Sequence, residues 1–267
     1  MKKIVILGST GMLGSSVANV FLEQNNKEII CSFRSESVAR KESVFYFDAL
    51  TTSLDNIPKC DYIINCIGII KPFMEKDITK SIYINSIFPH ELANFCQKQG
   101  IKLIHITTDC VFSGSEGQYN EESSHDCKDE YGKSKSLGEP KNCMVLRTSI
   151  IGEEVHKNAS LVEWVKSSRG GAINGFTNHF WNGITTKHYG ELCNQIIDND
   201  LYVEDLFHLH SNEVSKYELL QLINERFDLN IDITPKETSK VDRTLSSKKD
   251  LIKTLKIKTI EQQVGEL

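Results

Sequence analysis

The sequence predicts an α/β fold, a doubly wound parallel sheet followed by a small C-terminal lobe. Three observations carry this expectation. Short apolar runs alternate with longer amphipathic ones through the first two-thirds of the chain, the pattern of βαβ units. The first apolar run enters the turn Gly8-Ser9-Thr10-Gly11-Met12-Leu13-Gly14 and then a helical pattern. Beyond about residue 152 the alternation loosens.

In chain order, strands are expected at Lys3–Leu7, Glu28–Phe33, Val44–Phe47, Tyr62–Ile67, Lys102–Thr107 and Met144–Ile150. Between them, residues 12–24 carry Leu13, Val17, Val20 and Phe21 at helical spacing. Residues 77–99 carry Ile84, Ile87, Leu92 and Phe95 likewise, with Gly100 as the stop. A helix around Tyr131 runs on to Pro140. Leu161–Ser168 and Lys187–Asp198 are expected to be helical, with a Gly/Asn/aromatic stretch, Gly170–Gly183, between them. Ser215 with Glu218 forms a capping box for Lys216–Phe227. The basic region Lys236–Lys258 predicts one more small helix. Residues 1–152 thus form the main domain. Residues 153–267 form mainly a small lobe, interleaved with the last strand or strands of the sheet.

Composition narrows the function. The 267 residues suffice for one large domain or a main domain with an appendix. A net charge of −5 supplies no basic field for nucleic acid. No apolar run approaches the roughly 20 residues of a membrane span. After Met1-Lys2-Lys3 the apolar run ends at Gly8 with no cleavage-site pattern, so a cytoplasmic location is expected. Cys31, Cys60, Cys66, Cys96, Cys110, Cys127, Cys143 and Cys193 are scattered and read as reduced core thiols. The histidines show no metal-ligand spacing, and no metal is expected.

The Gly8–Gly14 turn follows a strand and opens a helix. Glycine there permits a tight turn and close approach of a pyrophosphate, whose charge meets unpaired N–H groups at the helix start. At the end of the second strand stand Arg34 and Ser35, where an acid would favour a ribose 2′-OH. Arg34 can pair with a 2′-phosphate and Ser35 can add a hydrogen bond, so NADPH is expected over NADH. Asp48 ends the third strand and suits either an adenine amino group or a helix cap. Ile67-Gly68 puts a small residue beside the cofactor path, with Asn65 bonding within its strand. Asn85 is a poor helix former inside a long helix, which a local bend or an ordered water would explain. Thr107 and Thr108 emerge at the carboxyl edge of the sheet, where open α/β sheets bind ligands.

Tyr131 and Lys135 sit at i and i+4, about 5–6 Å apart at Cβ on one helix face. A fixed ammonium beside a phenol is expected to lower the phenol's pKa and make it a general acid or base for carbonyl/alcohol chemistry.

Together these motifs resemble an extended short-chain dehydrogenase/reductase with a Rossmann-type fold. They are the Gly8–Gly14 turn, Asn85, Thr107-Thr108-Asp109-x-Val111-Phe112-x-Gly114, Tyr131-Gly132-Lys133-Ser134-Lys135-x-x-Gly138-Glu139 and Arg147-Thr148-Ser149-Ile150-Ile151-Gly152. Within that superfamily the chain most resembles the dTDP-4-dehydrorhamnose reductase-like branch, which reduces 4-keto nucleotide sugars for cell-surface polysaccharide precursors. The resemblance implies Thr108, Tyr131 and Lys135 as a catalytic triad supported by Asn85. It implies a cofactor side of Gly8, Thr10, Gly11, Met12, Leu13, Gly14, Arg34, Ser35, Asp48, Cys66, Ile67, Gly68 and Thr107 with Tyr131 and Lys135. On the substrate side it implies Thr108, Asp109, Cys110, Val111, Arg147, Asn178 and Trp181. The implied partner is a nucleotide sugar, with a homodimer open.

Two departures touch the substrate side. Cys110 stands where the branch usually carries tyrosine. The stretch Gly175–Thr186 is richer in aromatics than the usual substrate loop, and Trp181 there is a candidate to stack on a base or sugar. Sugar, nucleotide and stereochemistry at C4 stay open. The alternatives are a nucleotide-sugar epimerase or dehydratase that recycles its cofactor, and a catalytically silent NADP-binding regulatory subunit.

Overall fold

The structure, a computed structural model, describes residues 1–24, 26–34, 43–154 and 160–267. The expectation for Ser35 lies outside the described residues.

Six strands appear where the apolar runs predict them: β1 (Lys2–Leu7), β2 (Lys27–Phe33), β3 (Val44–Tyr46), β4 (Tyr62–Asn65), β5 (Lys102–Thr108) and β6 (Met144–Thr148). A seventh, Leu206–His208, joins the edge of β6. The order across the sheet is Leu206–His208, β6, β5, β4, β1, β2, β3. Every pairing is parallel. Parallel strands covered on both faces read as unbroken apolar runs, and Ile4, Val5, Ile6 and Leu7 are all fully buried.

The helices Met12–Leu22 and Thr186–Asp198 cover one face, packing Val17 and Phe21 with Tyr189, Leu192 and Ile196. Gly190 permits that contact, since a Cβ there would lie 3.2 Å from the Val17 Cα. Phe88, Leu92 and Ala93 of the helix Phe88–Gln99 seal the opposite face. Strand order reverses between β1 and β4, so the ligand crevice of this topology opens at their carboxyl ends.

The long helix expected over 77–99 is interrupted. Ile78–Ile82 and Phe88–Gln99 are α-helical, but Tyr83–Ile87 is a π turn with Asn85 at its centre. Pro89 gives the reason. It has no N–H to donate to the Asn85 carbonyl four residues earlier, and its ring crowds that oxygen. One extra residue in the turn relieves both conflicts. Gly100 ends the helix at φ +69°, as its position predicts.

Past residue 160 a second core forms from Val162, Val165, Trp181, Leu219, Ile223 and Ile260. Ser215 and Glu218 complete the expected capping box at the start of Lys216–Arg226. The Gly170–Gly183 stretch contains two strands, Ala172–Phe176 and His179–Trp181. The first pairs with Asp232–Lys236, the second with Val214–Ser215 and Val241–Asp242. Within Lys236–Lys258 the helix is a single turn, Leu251–Thr254. All eight cysteines are free thiols. Among the described residues no helix is long and apolar enough to cross a membrane.

Candidate active site

The glycine turn at the end of β1 is built by steric necessity. Gly8 has φ +78°, a conformation that a side chain opposes. A Cβ on Gly14 would lie 2.1 Å from the Gly8 carbonyl oxygen, so only glycine lets the helix start this close to the strand. Gly11 is different. A Cβ there would meet only the Gly8 oxygen, at 3.4 Å, which leaves its outer side open. Ser32 on β2 braces the turn, accepting the Gly8 N–H at 2.8 Å through its hydroxyl and the Ser9 hydroxyl at 2.5 Å through its carbonyl. Gly11 is also the N-cap of the Met12–Leu22 helix and offers no side chain to its first N–H groups. An exposed, side-chain-free helix start of this kind fits a pyrophosphate.

Around it, Thr10 and Arg34 are exposed, Arg34 at the carboxyl end of β2. Leu13 is buried in the sheet core, so only its backbone belongs to the turn. Cys66 and Ile67 lie directly against Gly8. Asp48 folds into a turn, its carboxylate accepting the Leu50 N–H at 2.9 Å and its own N–H donating to Thr52 at 3.0 Å. Asn65 bonds within the sheet, to the Ile67 N–H at 3.1 Å and to His105 Nδ1 at 3.0 Å.

The helix Glu130–Ser136 runs beside the carboxyl end of β5. Asp129 caps it by accepting the Gly132 N–H at 2.9 Å. Two glycines let it approach. A Cβ on Gly132 would lie 2.3 Å from the Cys110 carbonyl, and one on Gly138 would lie 1.8 Å from the Asn85 carbonyl. The π turn and the chain just past the Glu130–Ser136 helix therefore touch backbone to backbone. Asn85, fully buried, ties them together. Its amide nitrogen donates to the Ile69 carbonyl at 2.9 Å and Ser134 Oγ at 3.2 Å, and its oxygen accepts the Ile69 N–H at 2.9 Å. Of the readings open from sequence, the structure shows the local bend, with Asn85 buried rather than solvated.

Thr108 closes β5. Its hydroxyl donates to Asp109 Oδ1 at 3.1 Å and accepts the Cys110 N–H at 3.2 Å. Thr107 points to the other face of the strand. Its buried hydroxyl has no protein partner among the described residues. Burial, and then the adjacent Cys110, push the Tyr131 phenol above its ordinary pKa, while a hydrogen-bonding contribution from Thr108 opposes the rise. The sequence-based expectation of a phenol lowered by Lys135 is corrected. The Lys135 ammonium bonds the Ile106 carbonyl at 3.2 Å and is itself brought down to about 8 by burial. At neutral pH the phenol keeps its proton and can donate it.

Four substrate-side expectations change. Trp181 is 3% exposed and packs in the small lobe's core, with the Lys216 ammonium 4.8 Å from its ring centre, so it is closed to stacking on a ligand. Arg147 is 1% exposed and spends its donors on Glu139, His125 and His208. Val111 is buried against Phe112, Tyr119 and Leu245. Asn178 fastens a turn of the small lobe by bonding the Thr238 backbone in both directions. Each reads as a contact residue in sequence because aromatics, arginine and asparagine serve packing and binding alike.

Two residues not anticipated from sequence reach this site. Lys216, the first residue of its helix, is brought down to about 8 by burial, while Asp109 and Cys110 oppose that shift. Arg243 anchors its Nε on the Phe112 carbonyl at 3.1 Å, and its charge reaches Asp109. Burial raises the Asp109 carboxyl and Arg243, then Lys216, counter it. The capping box places Lys216 at a helix start, but nothing in the sequence shows where that helix points.

Comparison with known proteins agrees with this fold. Methionine adenosyltransferase 2 subunit beta of Xenopus tropicalis is 25% identical over 244 residues, 85% of this chain and 73% of that protein. The spore coat polysaccharide biosynthesis protein SpsK of Bacillus subtilis (strain 168) is 29% identical over 159 residues, 57% of this chain and 54% of that protein. Among solved structures, dTDP-4-dehydrorhamnose reductase of Bacillus anthracis str. Ames in complex with NADP superposes with a TM-score of 0.77 at 20% identity, covering 100% of this chain and 98% of that one. UDP-N-acetylglucosamine 4-epimerase of Methanobrevibacter ruminantium M1 reaches 0.78 at 14% identity, covering 99% and 96%. The model of the RmlD substrate binding domain family matches residues 1–265, and the chain belongs to that family.

Proposed function

We propose that the protein reduces the C4 carbonyl of a nucleotide-linked 4-keto-6-deoxy sugar with NADPH. The observation that carries this reading is the convergence of the Thr108 hydroxyl, the Tyr131 phenol and the Lys135 ammonium at the sheet edge that also bears the Gly8–Gly14 cradle. Gly8, Gly11 and Gly14 would hold the pyrophosphate and Arg34 the 2′-phosphate, with residues 1–152 as the cofactor domain. When bound, the reduced nicotinamide supplies hydride to the carbonyl carbon.

The chain's own residues do the rest. Tyr131 gives its proton to the oxygen as negative charge develops there. Thr108, turned from Asp109, donates to the same oxygen and shares that charge. Lys135, one helical turn from Tyr131 on the same helix, would hold the nicotinamide ribose. Lys216 and Arg243, from the 153–267 lobe, present cations to the anionic part of a nucleotide sugar. We extend the reading to a homodimer on the exposed Ile78, Ile82 and Ile87 (44%, 42% and 47%), whose presentation to water favours covering by a partner. Sedimentation at several concentrations tests it.

A panel of nucleotide-linked 4-keto sugars incubated with NADPH tests the activity. Stoichiometric loss of NADPH absorbance with an alcohol product supports the reductase. Turnover without net oxidation would assign an epimerase or dehydratase. Cofactor binding without turnover would favour a regulatory subunit, the second reading that the methionine adenosyltransferase relatives support.

A further inference from the structure

The helix Glu130–Ser136 has 7 residues, too few to hold its shape in water unaided. Where Tyr131 and Lys135 stand is therefore set by what grips the helix. The Asp129 cap fixes its start. Its middle is fixed at Ser134, whose hydroxyl accepts from Asn85 Nδ2 at 3.2 Å and whose carbonyl accepts from Ser86 Oγ at 2.7 Å. Its last residue, Ser136, is gripped from the loop 113–129, where His125 Nδ1 lies 2.6 Å from Ser136 Oγ.

The other ring nitrogen of His125, Nε2, lies 2.7 Å from Arg147 Nη2 on β6. A guanidinium only donates, so Nε2 accepts and the imidazole is neutral. Its single proton then sits on Nδ1, and His125 donates it to Ser136 Oγ. Burial holds this imidazole below its ordinary pKa against the pull of Glu139, and the Arg147 charge adds to the lowering while Asp126 opposes it.

Arg147 is a rigid base for this contact. It is 1% exposed, and its Nε and Nη2 grip the Glu139 carboxylate at 3.1 and 2.6 Å. Its Nη1 donates to His208 Nε2 at 2.8 Å, and the Phe112 ring centre lies 5.2 Å from the guanidinium carbon. The same ring meets His125 edge-on, with centres 5.6 Å apart. The His125 side chain is 25% exposed, so its Nδ1 proton could have been left to water. It is given to the helix instead. Ser136 follows Lys135 directly in the chain, and the Lys135 ammonium bonds the Ile106 carbonyl of β5 at 3.2 Å. A tie at Ser136 limits how far that last turn can lift from the strand.

We infer that His125, propped on Arg147, is a positioning residue that holds Ser136 and with it the trailing turn of the helix carrying Tyr131 and Lys135. Its effect on turnover rests on the function proposed above, and the exchange measurement that follows does not. Asparagine places an amide where Nδ1 stands and glutamine places one where Nε2 stands. His125→Asn can therefore keep the bond to Ser136, and His125→Gln the bond to Arg147. Amide hydrogen exchange of the folded proteins is read residue by residue by NMR. His125→Gln should speed exchange at Lys135 and Ser136 about tenfold, as expected for one lost hydrogen bond, while β1 keeps its parental rates. His125→Asn should leave both amides slow. Parental exchange at Lys135 and Ser136 in His125→Gln overturns the inference. The reverse order, fast in His125→Asn and slow in His125→Gln, overturns it too, because His125 would then serve Arg147 alone. Should neither variant fold, Ser136→Cys keeps size and helix propensity but accepts poorly. Faster exchange at Lys135 there supports the role, and unchanged exchange rejects it. In turnover, His125→Gln should lower kcat about tenfold with KM nearly unchanged, and His125→Asn should restore most of it. Absence of turnover by the parent with every sugar, while exchange follows the expected order, would reject the reductase reading and leave this one standing.

Discussion

The two parts of the candidate site are built on different principles. At the carboxyl edge of the sheet, backbone meets backbone: Gly14 against the Gly8 carbonyl, Gly132 against the Cys110 carbonyl, Gly138 against the Asn85 carbonyl. Facing it, long side chains carried by the small lobe, Lys216 and Arg243, reach Asp109 with their charge. A backbone contact demands one residue type and so leaves a mark in sequence. A side-chain reach can be launched from many positions and leaves almost none. Substitutions on the first side should be costly and discrete, and those on the second graded.

The largest effect expected is on chemistry. Tyr131→Phe should lower kcat by about 10³-fold, within the usual range for a general acid, while NADPH affinity changes little. Steady-state rates with fluorescence-monitored cofactor binding check this, and retained turnover would remove Tyr131 from the mechanism. Gly138→Ala comes next, since its methyl has no room beside the Asn85 carbonyl. A loss of about 3 kcal/mol or more in urea unfolding is expected. If Gly138→Ala melts like the parent, the backbone contact is not tight. Lys135→Met should reverse the usual sign, abolishing activity while raising stability at pH 7 by about 1–2 kcal/mol, because it removes a buried charge.

Lys135 also ties stability to pH. Its folded value, about 8, lies below its ordinary one, so the unfolded chain binds the proton more tightly between them. Its contribution therefore makes stability rise with pH from about 8 towards about 10.4, over the range where activity falls. Lys216 acts in the same direction, and the raised Tyr131 opposes both above about pH 10. Parallel unfolding and rate measurements across that range should diverge. Two curves falling together would contradict the assignment. The smallest effect belongs to the substrate side, where Arg243→Gln should raise the KM for the sugar nucleotide about tenfold with kcat nearly unchanged. An equal loss in kcat would move Arg243 into the chemistry.

This contrast also explains what the sequence could tell. The parallel sheet was legible because strands buried on both faces read as unbroken apolar runs, and Gly8, Gly14, Gly100 and Ser215 each mark a local necessity. Thr108 at the end of a strand and Tyr131 with Lys135 on one helix were legible because an apolar run and an i, i+4 spacing are local features. Trp181 and Arg147 were misread because an aromatic or an arginine does not announce whether it faces a ligand or a core. Lys216 went unnoticed because its role depends on how two lobes meet, a long-range fact absent from any window of residues. The phenol's shift was misjudged because burial, which raises it, is invisible in the Tyr-x-x-x-Lys spacing.

The π turn at Tyr83–Ile87 has a further consequence for how this chain can vary. It holds one residue more than an α-helix would over the same rise. Deleting a residue there would return the segment to ordinary winding and set the Pro89 ring against the carbonyl that then lies four residues before it. Asn85 would leave Ile69 and Ser134, and the partners of Gly138 would shift with it. Length in this segment is therefore as constrained as composition. A single-residue deletion between Ile82 and Phe88 should damage the site more than most substitutions there, although the turn itself touches neither reacting atom.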